Sequence, residues 1–435
     1  MQKSIEKAVN SFLDKSRNKN IKIISHHDTD GITSAAIMLK ALKRLDKKFS
    51  VKILKNLEKE FIETINSNEL IIFLDLGSSL LDEISKINTD VFIIDHHEIS
   101  SKQGENTILI NPHLFNEEEI SASSLTYLFA KTISKENKDL ANLAVIGMVG
   151  DMLDRHISKT SNKILEDADL VVKKGLLLYP ATRPIHKTLE FSSSLFIPGI
   201  TGNPKGVLSL LRELGIKKEN DKWKSLIELD DDELSKLITS IMLRTKRPVE
   251  EIIGNVYLVK FFNRADDARE LSAMINACSR LGFSNTALSL CLDNKKARKD
   301  AEEIYADYKQ HLVSALNYTN NNKIEGKGYV LLNAGNEIKD TMIGTVASIL
   351  SMSGNYAEGT IIIAMSYDKE KIKVSARVAG RNGKNVREIL ENASKDIGAE
   401  CGGHPFAAGC LFSREKEKEF IDNLLKSLEL ETVKI

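Results

Sequence analysis

Residues 25–37 read SHHDTDGITSAAI, directly after the apolar run IKII, and they crowd two histidines and two aspartates into the six positions that end at Gly31. Ionisable side chains packed where an apolar run gives way to a helical one desolvate and repel one another unless something binds between them. His26, Asp28 and Asp30 alternate, so an extended segment would turn all three side chains the same way, with Gly31 letting the backbone turn into a helix. Carboxylates and imidazole without thiolate suit manganese, magnesium or zinc, and manganese fits the mixed oxygen and nitrogen set best. Taken alone, the motif is equally well explained as a solvated Asp-Gly turn.

The flanking sequence removes that ambiguity. Short apolar runs at IKIIS (21–25), LIIFLD (70–75), VFIID (91–95) and TILIN (107–111) alternate with segments whose apolar residues recur three and four apart, such as ITSAAIMLKALKRL and SASSLTYLFAKTI. Continuous apolar strands between amphipathic helices predict a parallel sheet covered on both faces, with ligands collecting beyond the carboxyl ends of its strands. Asp75 ends one run, Asp95 ends the next and is followed by His96 and His97, and GMVGD brings Asp151 after an apolar helix. Two polar clusters converging on one sheet edge are not ordinary turns. The set is rich enough for two cations sharing a bridging carboxylate, and such pairs hydrolyse phosphoesters.

Composition narrows the rest. A 435-residue chain with 42 % hydrophobic content holds two or three domains. No stretch approaches the length of a membrane span, and MQKSIEKAVNSFLDKSRNKN reads as a charged amphipathic helix, so a soluble, cytoplasmic protein without a membrane partner is expected. Cys278, Cys291, Cys401 and Cys410 show no C-x-x-C spacing, which argues against a structural zinc site or a disulfide framework and fits a reducing cytoplasm. With 61 basic and 61 acidic residues the formal charge is zero, so any nucleic-acid contact must come from a local patch. In KIKVSARVAG, Lys371, Lys373, Ser375 and Arg377 alternate with Ile372, Val374, Ala376 and Val378, which predicts a strand with one apolar and one cationic face. His404, flanked by Gly402 and Gly403, stands where exposed backbone amides could hold a phosphate. The remaining histidines, among them His113, His156, His186 and His311, have no ligand spacing.

In order and spacing, SHHDTDGITSAA, FLDLGSS, IIDHHE and GMVGD resemble the four motifs of the DHH phosphoesterases, and CGGHPFAAG (401–409) is similar to the Gly-Gly-His motif of their C-terminal DHHA1 domain. Chain length and RELSAMINACSRLG (269–282) look most like the archaeal RecJ-like single-strand exonucleases. The resemblance implies an α/β protein: an N-terminal parallel-sheet DHH domain (1–194), a helical insertion that could dock a partner (195–255), and a linking helix with an α/β DHHA1 domain (256–435), the active site lying in the interdomain cleft. It implies that His26 and Asp28 bind one metal, Asp30, His96 and Asp151 the other, and that Asp75 bridges. Asp95 would orient the histidines, and His97 would face the scissile phosphate. Ser375, Arg377, Gly402, Gly403 and His404 would bind substrate. His27 falls at a variable position of the motif, and Cys401 stands where the family commonly has glycine. The implied cofactor is a pair of divalent ions, manganese before magnesium. The implied activity is exonucleolytic hydrolysis of single-stranded DNA or RNA in replication or repair, with GINS or another replication protein as partner. Alternatives are a nanoRNase or cyclic-dinucleotide phosphodiesterase and, from another class, a replication scaffold whose relatives have lost the metal motifs.

Overall fold

The five apolar or β-branched segments β1 (Ile21–His26), β2 (Phe49–Leu54), β3 (Leu70–Leu74), β4 (Val91–Ile94) and β5 (Thr107–Ile110) form an all-parallel sheet of order β2-β1-β3-β4-β5 in the computed structural model. The structure describes the chain except residues 66–67, 116–117, 156, 179, 193–194, 246–248, 381 and 431–435; His156 and the boundary expected at 194 lie outside the described residues. Every residue of β3 and β4 is buried, as uninterrupted Ile, Leu, Val and Phe require when both faces are covered. On one face pack the helices Thr29–Arg44 and Ala122–Ile133, with Ala141–Gly150 packed against both, and Phe12 of the helix Gln2–Lys15 meets the rings of Phe92 and Phe129 edge-on at 5.6 and 5.5 Å. Ile71, Phe73 and Ile93 bury against Ile62, Leu81 and Ile84 on the other. β2 escapes a periodicity reading because it is an edge strand whose first four residues are exposed.

The strand order has a consequence for binding. From β1 the chain crosses to one side to make β2 and then to the other to make β3, so a crevice opens between the carboxyl ends of β1 and β3. His26 and Asp75 stand at those two ends.

Two compact units divide the chain: residues 1–174 with 254–306, and residues 175–253 with 307–435. The first also holds most of an antiparallel sheet of β6 (Leu170–Leu176), β9 (Ile253–Phe261) and β10 (Arg264–Asp267), in which the end of β6 and the first residue of β9 fall at the division, and the helix Ala268–Arg280 follows it. The helices Ile185–Glu190, Pro204–Glu213 and Asp231–Thr245 belong to the second, with the two-residue pair β7 (Lys218–Glu219) and β8 (Lys222–Trp223). Its main sheet runs β11-β12-β13-β14-β16-β15, built from β11 (Ile324–Gly326), β12 (Tyr329–Asn333), β13 (Ile361–Asp368), β14 (Lys371–Val378), β15 (Glu400–His404) and β16 (Ala407–Ser413). Only the β12–β13 pair is parallel. Ile372, Val374, Ala376 and Val378 bury against Val386, Ile389, Leu390, Phe420 and Leu424 of the helices Val386–Ser394 and Glu417–Leu430. The opposite face of β14 is covered too, by the helix Asp340–Ser351, so Ser375 is buried and Arg377 half-buried. The cationic strand face expected from the alternation is therefore largely packed against a helix. No helix among the described residues is long and apolar enough to cross a membrane.

Candidate metal centre

Three groups of potential ligands meet at the carboxyl edge of the parallel sheet, with ligand atoms in each within 4.8 Å of one another: His26, Asp28 and Asp75; Asp30, His96 and Asp151; and Asp75, His96 and His97. Asp75 and His96 each belong to two of them. The first trio forms by a route different from the expected alternation. β1 ends at His26, and Asp28 caps the helix Thr29–Arg44, accepting from the Gly31 amide at 3.0 Å. Asp30 lies in the first helical turn. Gly31 is helical as well, and its role is space: a Cβ there would sit 2.3 Å from the His26 carbonyl oxygen.

Asp75 follows β3 with φ 59°, the left-handed region that aspartate tolerates better than most side chains, while its amide still bonds to Ile94 of β4 at 2.9 Å. That backbone turn aims a fully buried carboxylate into the crevice. Its Oδ2 lies 3.2 Å from His26 Nδ1, and its Oδ1 lies 3.4 Å from His96 Nε2, a spacing outside a good hydrogen bond, so Oδ1 has no partner among the described residues. His26 Nδ1 also approaches Asp28 Oδ2 at 3.1 Å, and His96 Nε2 approaches Asp151 Oδ2 at 3.3 Å.

The charges are unbalanced. Burial, then repulsion from Asp28, raises Asp75 above the usual carboxylate range; burial, then Asp30, raises Asp151. Burial likewise raises Asp30, although the amides of Ala122 and Ser123, at the start of the helix Ala122–Ile133, donate to it at 2.6 and 3.0 Å. Burial would lower His26 and His96, yet the neighbouring aspartates, Asp28 and Asp75 beside His26 and Asp75 and Asp30 beside His96, win and both are raised, His96 to about 9. Buried carboxylates that repel one another, imidazoles drawn towards them and an orphaned buried oxygen make a donor set whose charge a divalent cation would balance. The donors fit a divalent metal of the hard or borderline kind.

Asp95 plays a different part. Burial would raise it, but His97 and the Ser78 amide hold it below the usual range; its Oδ1 is 2.7 Å from His97 Nδ1, and its Oδ2 accepts from Ser78 at 2.9 Å. The carboxylate thus fixes the His97 ring and leaves Nε2 on a half-exposed imidazole. His27 joins none of the three groups; burial pushes it down to about 4, and its ring stands edge-on to His26 at 4.8 Å.

Residues that the sequence reading missed complete the frame. Asn111 donates to His97 O and to Ser78 Oγ, both at 2.9 Å, tying the third and fourth strand ends together. The Thr29 amide donates to Asn276 Oδ1 at 3.0 Å, and Thr29 Oγ1 to Ser272 O at 2.9 Å, so the helix Ala268–Arg280 covers the start of the metal-site helix. Gly147 permits the helix Ala141–Gly150 to close on Asp30, since a Cβ would lie 2.6 Å from Asp30 Oδ1.

In the second unit Gly402, Gly403 and His404 lie exposed on β15, an edge strand that turns at Pro405–Phe406 into β16. Gly403 has φ 124° and no room for a Cβ, which would meet the Ala407 carbonyl oxygen at 2.5 Å; Gly402 faces open space. Arg377 Nε donates to Ser348 Oγ at 3.1 Å and Nη1 to the Ala376 and Ala408 carbonyls at 2.8 and 3.3 Å. Of the other histidines, His311 Nδ1 lies 2.8 Å from Asp307 O and His186 packs 5.9 Å from the half-buried Trp223.

Three family models match in chain order: the DHH family N-terminal domain over residues 20–148, the DHH-CID domain over 178–252 and the DHHA1 domain over 326–430. The chain is 30 % identical over 440 residues to the uncharacterized protein MJ0831 of Methanocaldococcus jannaschii, covering 96 % of each. It is 22 % identical to the single-stranded-DNA-specific exonuclease RecJ of Bacillus subtilis over 94 % of this chain but 46 % of that one, so it spans about half of that relative. Among solved structures, RecJ of Thermus thermophilus in complex with Mn2+ superposes with TM-score 0.62 at 16 % identity, covering 98 % of this chain and 55 % of that one. CDC45 of Entamoeba histolytica superposes with TM-score 0.67 at 14 % identity, covering 98 % and 99 %.

Proposed function

Because the chain belongs to the RecJ-like DHH/DHHA1 family, we propose that it is a metal-dependent exonuclease that hydrolyses phosphodiester bonds in single-stranded DNA or RNA. The observation that carries the reading is the sharing of Asp75 and His96 among three converging ligand groups. In this proposal His26 and Asp28 hold one divalent ion, Asp30, His96 and Asp151 the second, and Asp75 both. Ions so held, manganese or magnesium, would lower the pKa of an attacking water and stabilise charge developing on the phosphoryl group.

The protein's own contribution is positional. Asp95 holds the His97 ring by Nδ1, and this hydrogen bond, against the opposing effect of burial, raises the imidazole and favours the protonated ring, whose Nε2 would donate to a phosphate oxygen or departing hydroxyl. His404, Gly402 and Gly403 on the exposed hairpin are proposed to bind the phosphate backbone, whereas Ser375, buried under the helix Asp340–Ser351, and Arg377, tied to Ser348 and to two backbone carbonyls, are placed to brace the strand behind it rather than to touch it. The segment 195–255 is proposed as a docking module for a replication protein such as GINS; its helix Asp231–Thr245 exposes Leu243, whereas Trp223 is half-buried.

End-labelled single strands of DNA and RNA of matched sequence, and a blunt duplex, should be digested with manganese or magnesium. Stepwise shortening of single strands with the duplex spared is the expected result. Equal cleavage of the duplex, or turnover confined to dinucleotides, would replace the reading with a different phosphodiesterase. A binding-only role is the second reading, favoured by the CDC45 superposition; a full ligand set speaks against it, and complete inactivity with both metals would establish it.

A further inference from the structure

Cys401 and Cys410 lie directly opposite each other in the antiparallel register of β15 and β16. Opposed residues in such a pair have Cα atoms about 4.5 or 5.5 Å apart, inside the roughly 4.4–6.8 Å that a disulfide spans. Both thiols turn to the same side, towards the helix Val386–Ser394. Cys401 Sγ donates to Ser394 Oγ at 3.4 Å, and that hydroxyl spends its own proton on the Leu390 carbonyl at 2.6 Å. Exposure distinguishes the two: Cys401 is half-buried on the edge strand, whereas Cys410 is 5 % exposed beneath it.

We propose that this pair is a covalent modification site for hydroperoxides, at which Cys401 is oxidised first and Cys410 then closes an intrachain disulfide. In the first step the Cys401 thiolate attacks the peroxide, the O–O bond breaks, and a sulfenic acid forms as the peroxide is reduced to hydroxide or alkoxide. In the second, the Cys410 thiolate attacks the Cys401 sulfur, the S–O bond breaks, and the hydroxyl leaves as water with the proton that Cys410 gave up. Across both steps the two thiols lose two electrons and the peroxide gains them. The direction of attack agrees with the titration of the pair: the Cys410 thiol donates to Cys401, which lowers Cys401 and raises Cys410. Cys278 and Cys291, both wholly buried and pushed up to about 12 by that burial, are built-in bystanders.

Trypsin would release both residues in one fragment, Asp396–Arg414, because no lysine or arginine separates them. The reduced full chain would be treated with a small excess of hydrogen peroxide, quenched in acid, alkylated under denaturing conditions and digested. The expected fragment has lost both alkyl labels, is lighter by two hydrogen atoms, and recovers both labels after dithiothreitol. Fragments bearing Cys278 and Cys291 keep their labels. Cys410→Ser should leave a dimedone-reactive sulfenic acid at Cys401, and Cys401→Ser should leave the fragment fully alkylated at the same dose. Retention of both labels in the wild-type fragment, sulfinic acid at Cys401 without a disulfide, or equal reactivity of Cys410 in Cys401→Ser would each overturn the proposal. The wild-type digest decides the matter even where a variant folds poorly, and it requires no assumption about nuclease activity.

Discussion

The two units bring histidine to a strand end in opposite ways. His96 has a side chain 13 % exposed and lies among four aspartates, so its position depends on charges that have no balance in the protein itself. His404 is exposed on an edge strand, next to the positive-φ backbone of Gly403, whose carbonyl accepts from Arg387 Nη1 at 3.4 Å. A cluster of buried, mutually repelling carboxylates and imidazoles should respond to metal and to pH. A hairpin shaped by its backbone should keep its form with or without metal.

The largest effect expected on either side of this contrast is at Asp75. Asparagine tolerates the left-handed backbone there but removes the shared charge. Losing several kcal/mol of charge stabilisation corresponds to a fall in hydrolysis of roughly 10³-fold. Metal content should fall with it, while the metal-free Asp75→Asn protein should melt higher than wild type because a buried charge repelled by Asp28 has gone. Near-normal activity with a normal metal count would remove Asp75 from the bridging position.

Next in size is the pH dependence of the metal-free protein. Asp30, Asp75 and Asp151 are raised, chiefly by burial, so at these three positions the folded chain binds more protons than the unfolded one, against the smaller opposite contribution of His27, which burial lowers. Stability from Asp75 is therefore complete below its ordinary 3.8 and is lost as pH rises through about 7. His96, lowered by burial but raised further by Asp75, extends the decline from 6.5 towards about 9. Asp28 and Asp95 are depressed, so their contribution is already complete above the ordinary carboxylate range and adds no slope. The melting temperature in chelator should drop across this window, and saturating manganese should flatten the curve by replacing the protons. A melting temperature that climbs with pH in chelator would contradict the assignment of charge.

For the hairpin, His404→Ala should leave metal content and the pH curve untouched. Losing one charge-assisted phosphate contact costs about 1.5 to 3 kcal/mol, a ten- to hundred-fold fall in efficiency that kcat and KM measured on short and long strands would divide between turnover and binding. Loss of metal from this variant would erase the contrast between the units.

The smallest effects separate the two glycines. Gly403→Ala forces a Cβ against the Ala407 carbonyl at positive φ and should destabilise the C-terminal unit by about 1–3 kcal/mol in denaturant titration. Gly402→Ala meets nothing and should stay within about 0.5 kcal/mol. Equal costs would mean that the hairpin is not shaped by Gly403.

What the sequence by itself determined follows from local interactions. Uninterrupted apolar runs are strands buried on both faces, so β1, β3, β4 and β5 were legible, and the histidine pairs at His26 and His96 marked the ligand edge because each cluster is contiguous. β2 was not, since an exposed edge strand has no apolar period to read. Alternation along β14 correctly separated its two faces but could not say that the helix Asp340–Ser351 covers the polar one. Tertiary structure alone decided that Asp30 is held by the amides of Ala122 and Ser123, that Asn276 and Ser272 cap Thr29, and that the order β2-β1-β3 opens the crevice between His26 and Asp75. The physical reason is range: side-chain periodicity records what one element presents to its surroundings, whereas these partners are set by which distant element packs there.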